Sequence, residues 1–267
     1  MKKIIFLIPL FFCFVSVQAL DVLPLPCEYE QPLYGTFELD ATTRIVCRDA
    51  ALKPMAWYFC AQIMHATGFD LMRNHRGRKR IELQIDPAIG ENKALYWINV
   101  QPQRVLVKGT SVCAVYYGLQ TLLQLFSAEI LSQQRMRGMI WNLPCIAIQD
   151  EPIFERRGVV VDLPDSLWLR QWRNIMDAAA FCKLNCMYLS NSQTVTKEMR
   201  RIATARFITL IADTTVAVPH LRGETLWLSL LQAAEGQWTP SALTDSADLQ
   251  HRIDRLMQRM RVAGLEE

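Results

Sequence analysis

The sequence predicts an α/β protein in two parts: an N-terminal α+β domain over residues 20–149, and a run of alternating strands and helices over residues 150–267. Two observations carry this. Five short β-type runs in the first part are interrupted by two long helical stretches. From GVVVDL onward the apolar pattern switches between continuous strand-like runs and helical periods, the β-α-β-α-β order of an α/β fold.

Taken in order, the chain opens with Lys2 and Lys3, the apolar run IIFLIPLFFCFVSV, and Val17-Gln18-Ala19. This is the layout of a signal peptide cleaved near Ala19, which predicts an exported protein, periplasmic or secreted. The run contains Pro9 and is short for a membrane span, and no later segment is apolar enough to cross a bilayer. TFEL and TRIVC are the first strands. PMAWYFCAQIMHATG is a helix, opened by Pro54 in its first turn and stopped by Gly68. RIELQID alternates as a half-buried strand does. ALYWINV and RVLVKG, separated by Gln101-Pro102-Gln103, form a hairpin. SVCAVYYGLQTLLQLF is a second helix, capped by Ser111.

In the second part, GVVVDL, CMYLSN and FITLIAD are strands. LRQWRNIMDAAAFCKLN and KEMRRIATAR are the helices between them. ETLWLSLLQAAEGQW is helical, and SADLQHRIDRLMQRMRVAG places Leu249, Ile253, Leu256 and Met260 on one stripe.

Composition narrows the function. Removing Lys2 and Lys3 from 29 basic residues leaves 27 against 26 acidic, a net charge of +1, so no global field attracts nucleic acid. The basic cluster Arg73, His75, Arg76, Arg78, Lys79 and Arg80 lacks interleaved aromatics and reads as a solvated loop. Seven cysteines follow the leader (Cys27, Cys47, Cys60, Cys113, Cys145, Cys182, Cys186). Their odd number and irregular spacing argue against a full disulfide framework. Without a CxxC pair or clustered histidines, no zinc site is expected, and no cofactor.

These segments, in this order, resemble the exported β-N-acetylhexosaminidases of glycoside hydrolase family 20. VLPLPCEYEQPLYGTFELDATTRIV is similar to the start of that family's N-terminal α+β domain, and AVYYGLQTLLQLF to its second helix. IAIQDEPIFERRGVVVDL resembles the passage into its (β/α)8 barrel, and Lys183-Leu184-Asn185 the approach to barrel strand two. The stretch from QAAEGQWTP to the end resembles the barrel-closing region. The resemblance implies an incomplete (β/α)8-type barrel. A full barrel takes about 250 residues, whereas 110 follow Arg157, and the chain passes from about strand three to strand eight.

In the family, the substrate's own acetamido oxygen is the nucleophile; an Asp orients it and the adjacent Glu protonates the leaving oxygen. The Gly-Gly-Asp-Glu run that would mark this pair is absent. Asp150-Glu151, the remaining candidate acidic pair, precedes the first barrel strand and reads as structural. No catalytic residue is therefore assigned.

Three residues match family substrate-binding positions. Arg157 matches the sugar-hydroxyl arginine, for which a structural salt bridge is the competing role. Asp162 matches a strand-one aspartate, although Asp165, Ser166 and Leu167 stand where Arg-His-Phe is expected. Trp227 matches the tryptophan that floors the acetamide pocket, with core packing as the alternative; Ser229 stands where an acidic residue is expected. After Asn185, Tyr188, Leu189, Ser190 and Gln193 replace the family's His-Trp-His and Asp.

The expectation is an exported hexosaminidase-like protein without hydrolysis, with an N-acetylglucosamine-type glycan as the candidate ligand. Three alternatives stand beside it: an active glycosidase using Asp162, Asp165 or Asp213; a scaffold working through its α+β domain; and a chain that does not fold stably. An incomplete barrel leaves apolar surface and strand edges, which predicts self-association, a protein partner, or dependence on the C-terminal helix.

Overall fold

A computed structural model describes residues 20–31, 34–74, 77–161, 169–189, 195–212 and 226–262. The first half is a two-layer assembly. Strands β1 (Glu28–Glu30), β3 (Arg44–Cys47), β4 (Arg80–Ile85), β5 (Tyr96–Gln101), β6 (Arg104–Gly109) and β8 (Ala147–Asp150) form one mixed sheet in the order β1-β8-β5-β6-β4-β3. β2 (Thr36–Leu39) pairs instead with β7 (Trp141–Pro144) in a separate antiparallel ribbon. The expected hairpin is present: Gln101 pairs with Arg104, so Pro102 and Gln103 make a two-residue turn.

Helices α1 (Lys53–Thr67) and α2 (Val112–Leu125) pack on the sheet. α1 has Pro54 in its first turn and ends at Gly68, whose φ of 68° is the left-handed stop that glycine adopts without Cβ strain. α2 is capped by the Ser111 hydroxyl, which accepts from the Ala114 N–H at 3.1 Å. From Ala114 to Gln124 every residue of α2 is buried, more than a one-sided face, because the helix is covered on both sides. Gly118 is needed on the sheet side: a Cβ there would lie 2.7 Å from Val107 Cγ1. β4 departs from the expected alternation because Glu82 is buried within it.

The second half is a parallel sheet, β9 (Gly158–Val161), β10 (Cys186–Leu189) and β11 (Thr209–Ile211), in the order β11-β10-β9. Right-handed βαβ logic puts a helix after each strand: α3 (Leu169–Phe181) follows β9 and α4 (Lys197–Thr204) follows β10. The buried Trp172 indole ties them by donating to the Met199 carbonyl at 2.9 Å. The third strand is shorter than FITLIAD suggests.

α5 (Leu226–Trp238) lies against β9 and α3. α6 (Ser246–Val262) buries Ile253, Leu256 and Met260 against α5 and the 3-10 turn Ala128–Leu131 of the first half. Arg252 anchors it, bonding buried Glu235 at 2.8 Å and Asp248 at 2.7 Å. Among the described residues, no helix is long and apolar enough to cross a membrane.

Candidate functional site

One fully buried ion pair, Asp150 with Lys183, lies at the joint between the two halves. β8 ends at Asp150, whose carboxylate is fully buried. One oxygen accepts from the Lys183 ammonium at 3.0 Å and, in a very short bond, from the Tyr96 hydroxyl. The other accepts from the Trp238 indole at 2.9 Å and the Cys27 N–H at 3.1 Å. Tyr96 also shares a 2.7 Å bond with Thr121 of α2. Burial pushes the Lys183 ammonium below its ordinary value, against the opposing pull of Asp150. Burial also raises the Tyr96 phenol well above its ordinary range, and the Asp150 charge adds to this.

Lys183 arrives there through strain. It follows α3 with φ 59°, a left-handed backbone that glycine would adopt more easily, while the Leu184 N–H closes back on the Ala179 carbonyl at 3.0 Å. Leu184 is core, and Asn185 holds the approach to β9, accepting from the Arg157 N–H at 2.8 Å and donating to the Glu155 carbonyl at 2.7 Å. At the other end of the chain, the Thr239 hydroxyl donates to the Leu25 carbonyl at 2.9 Å. Gln124 of α2 clamps the same N-terminal strap, accepting from the Leu23 N–H at 2.8 Å and donating to its carbonyl at 2.7 Å.

Arg157 sits beside this node, 2% exposed, and its partners among the described residues include no carboxylate. Its guanidinium donates to the carbonyls of Phe154, Glu155 and Lys183 and to the Tyr117 hydroxyl, and lies over the rings of Tyr117 and Trp238. Among the described residues, carbonyls and cation–π contacts rather than an ion pair hold this buried guanidinium. Trp227, half-buried at the start of α5, packs edge-on against Phe181 with ring centres 5.9 Å apart. Asp162, Asp165 and Asp213 lie outside the described residues.

A cleft of about 500 Å³ opens next to the joint, lined by Cys113, Tyr117, Asn185, Arg200, Thr204 and Phe207. It lies at the N-terminal ends of β10 and β11, whereas ligands of parallel α/β sheets bind beyond the carboxyl ends of the strands. Asp150 has no solvent contact and both its oxygens are engaged, so it has no geometry for proton transfer to a bound sugar. Burial pushes the Cys27 thiol up to about 11 and the Cys60 thiol up to about 12, so neither is a nucleophilic thiolate at neutral pH. Among the described residues, no group of three His, Cys, Asp or Glu could hold a metal.

The fold and joint define an α/β protein whose α+β domain is locked onto parallel βα units through a buried carboxylate. Residues 19–151 match the model of glycosyl hydrolase family 20, domain 2, and these residues belong to that family. The chain is 26% identical over 172 residues to the beta-hexosaminidase of Porphyromonas gingivalis, covering 63% of this chain and 22% of that one. Its fold is similar to the Streptomyces plicatus N-acetyl-beta-hexosaminidase solved with Thio-NAglucal (TM-score 0.61, 19% identity, 75% of this chain and 45% of that one). It is also similar to the Vibrio harveyi exo beta-N-acetylglucosaminidase solved with N-acetylglucosamine (TM-score 0.59, 18% identity, 72% and 36%). The chain therefore spans about a fifth of the curated relative and under half of these solved structures.

Proposed function

We propose that this chain is an exported, non-hydrolytic relative of the family 20 hexosaminidases, in which a shortened barrel is kept as scaffold. One observation carries the reading. α5, which resembles the barrel-closing region, lies directly on β9, and its Gln237 amide bonds both the N–H (2.6 Å) and the carbonyl (3.0 Å) of Gly158. Only 14 residues separate Ile211 of β11 from Leu226 of α5. One crossover to a parallel strand takes about 10–12 residues, so the interval cannot hold the intermediate strands on which the family carries its acid pair.

The leader-like Lys2, Lys3 and the apolar run after them support export. An N-acetylglucosamine-type glycan is the ligand this reading retains, supported by the Vibrio harveyi relative solved with that sugar. A second copy or a protein partner covering the short parallel sheet also belongs to it.

The test is hydrolysis of an aryl N-acetylglucosaminide by the purified chain, paired with thermal melts in N-acetylglucosamine. No turnover above the blank is expected. Turnover abolished by Asp162→Ala or Asp213→Ala would overturn the reading in favour of an active glycosidase. A sugar that binds only the native state adds about 2.7 kcal/mol at a hundredfold excess over its dissociation constant, so an upward shift marks a retained sugar pocket and an unmoved melt removes that ligand.

A further inference from the structure

The strand register assembles something on the far face of the six-stranded sheet that the sequence order hides. Arg44, Arg80 and Arg104 are direct partners across β3, β4 and β6. At a strand spacing of about 4.8 Å they form one row, and Arg48 follows on from β3. In their midst is Glu82, its side chain 1% exposed. The Nε of Arg48 donates to one Glu82 oxygen and the Nε of Arg80 to the other at 3.3 Å; the Nε of Arg104 lies 2.9 Å from that second oxygen.

A single buried carboxylate thus holds three guanidinium groups by their inner nitrogens and turns their outer ends to solvent. Arg48, Arg80 and Arg104 are 61%, 36% and 35% exposed. None of the terminal guanidinium nitrogens of these four arginines has an acceptor among the described residues, and the Arg44 Nε is buried without one. Four cations surround one anion, so the cluster is left strongly positive. Fork-shaped donors fixed in place and lacking acceptors suit carboxylate or sulfate oxygens.

The same face continues with groups that suit a sugar chain. Gln101 is the register partner of Arg104, Asn99 pairs with Leu106, and both amides are exposed. Beyond them Trp97, opposite Lys108, is 43% exposed and offers a flat apolar ring to the C–H face of a pyranose. A nucleic-acid groove would interleave several aromatics with its cations; this face has one indole beside amides. We propose that the outer face of this sheet binds an acidic glycan, a polysaccharide bearing sulfate or carboxylate groups. The site is independent of the barrel and of any hydrolytic activity.

The full chain is titrated by calorimetry with heparin oligosaccharides (sulfated), alginate oligosaccharides (carboxylated), neutral chitooligosaccharides and duplex DNA. Binding to at least one acidic glycan is expected, and which of the two binds identifies the anionic group. It should weaken steeply as salt rises from about 0.1 M to about 1 M and the screening length falls from about 10 Å to about 3 Å. Arg44→Gln removes a guanidinium that makes no bond to Glu82, so the melt should hold while affinity falls about tenfold. Trp97→Ala should weaken glycan binding but leave any residual DNA binding unchanged. No binding of either acidic glycan, or Arg44→Gln at wild-type affinity with an unchanged melt, would overturn the proposal. So would DNA binding as tight as the glycan and indifferent to Trp97→Ala.

Discussion

Lys183→Met tests the buried joint most directly. The substitution keeps an unbranched side chain, one atom shorter, but removes the ammonium, leaving the fully buried Asp150 with only the neutral donors of Tyr96, Trp238 and Cys27. Removing one partner of a buried ion pair costs about 3–5 kcal/mol. The three remaining hydrogen bonds, and relief of the left-handed backbone only if the loop relaxes, place the cost near the lower end, about 3 kcal/mol. For a chain of this size that lowers the melting temperature by roughly 6–12 °C, measured by circular dichroism of the full chain. Asp150→Asn alone strands the ammonium instead, while the double variant removes both charges. A double-mutant cycle should therefore give a coupling of about 2 kcal/mol. Additive single effects, or a Lys183→Met melt within about 1 °C of the parent, would refute the assignment of this pair as the joint that fastens the two halves.

Further outcomes follow from other contacts. Gly118→Ala gains about 1 kcal/mol of helix propensity, but its methyl would meet Val107 Cγ1 at 2.7 Å and the Tyr96 ring at 3.1 Å; overpacking of about 1–3 kcal/mol makes the urea midpoint fall, and a rise would contradict the close approach. Deleting residues 245–267 removes α6 and strands Glu235 without Arg252, so size-exclusion chromatography should show association or aggregation in place of a monodisperse monomer. Burial would raise the Asp40 carboxyl, but hydrogen bonds from Lys79 and Thr42 outweigh it and hold it at about 2. Its folded value is below its unfolded one, so its contribution is complete above the model-peptide value of 3.8 and is lost as pH falls toward about 2. Partly exposed, that contribution is about 1 kcal/mol; Asp40→Asn should flatten the stability–pH curve in this window by that amount.

Much of the architecture was legible because it is local. Pro54, Gly68 and Ser111 mark helix ends by chemistry that acts within a turn, and the Pro102-Gln103 spacing fixes the hairpin register. Features made by distant partners were not. RIELQID reads as an ordinary alternating strand because nothing near Glu82 in sequence announces Arg48 and Arg104. The basic run ending at Arg80 reads as loop, although Arg80 opens β4 and joins a row drawn from two other strands. In the sequence Asp150 reads as structural in a connector; its place at the end of β8 facing Lys183 depends on residues 33 positions apart. The segments that carry the family resemblance (the α2 run, Asp150-Glu151, Lys183-Leu184-Asn185 and Trp238-Thr239-Pro240) converge on this one buried node. They identify kinship through the joint and are silent about hydrolysis.

The double-sided burial of α2 bears on how this protein can be dissected. The family domain matched by residues 19–151 stops in sequence just past β8, yet α2 is a party wall between two rooms, and its far side is plastered by Arg157, Trp238 and the Phe181 carbonyl. Cut at residue 151, the front room would keep its sheet and lose the lining of that wall, leaving Tyr117 and Gln124 facing water beside an uncompensated Asp150. A graft that transplants this domain as a module would have to bring α5 and the Lys183 turn with it, or repaint the wall with polar side chains first.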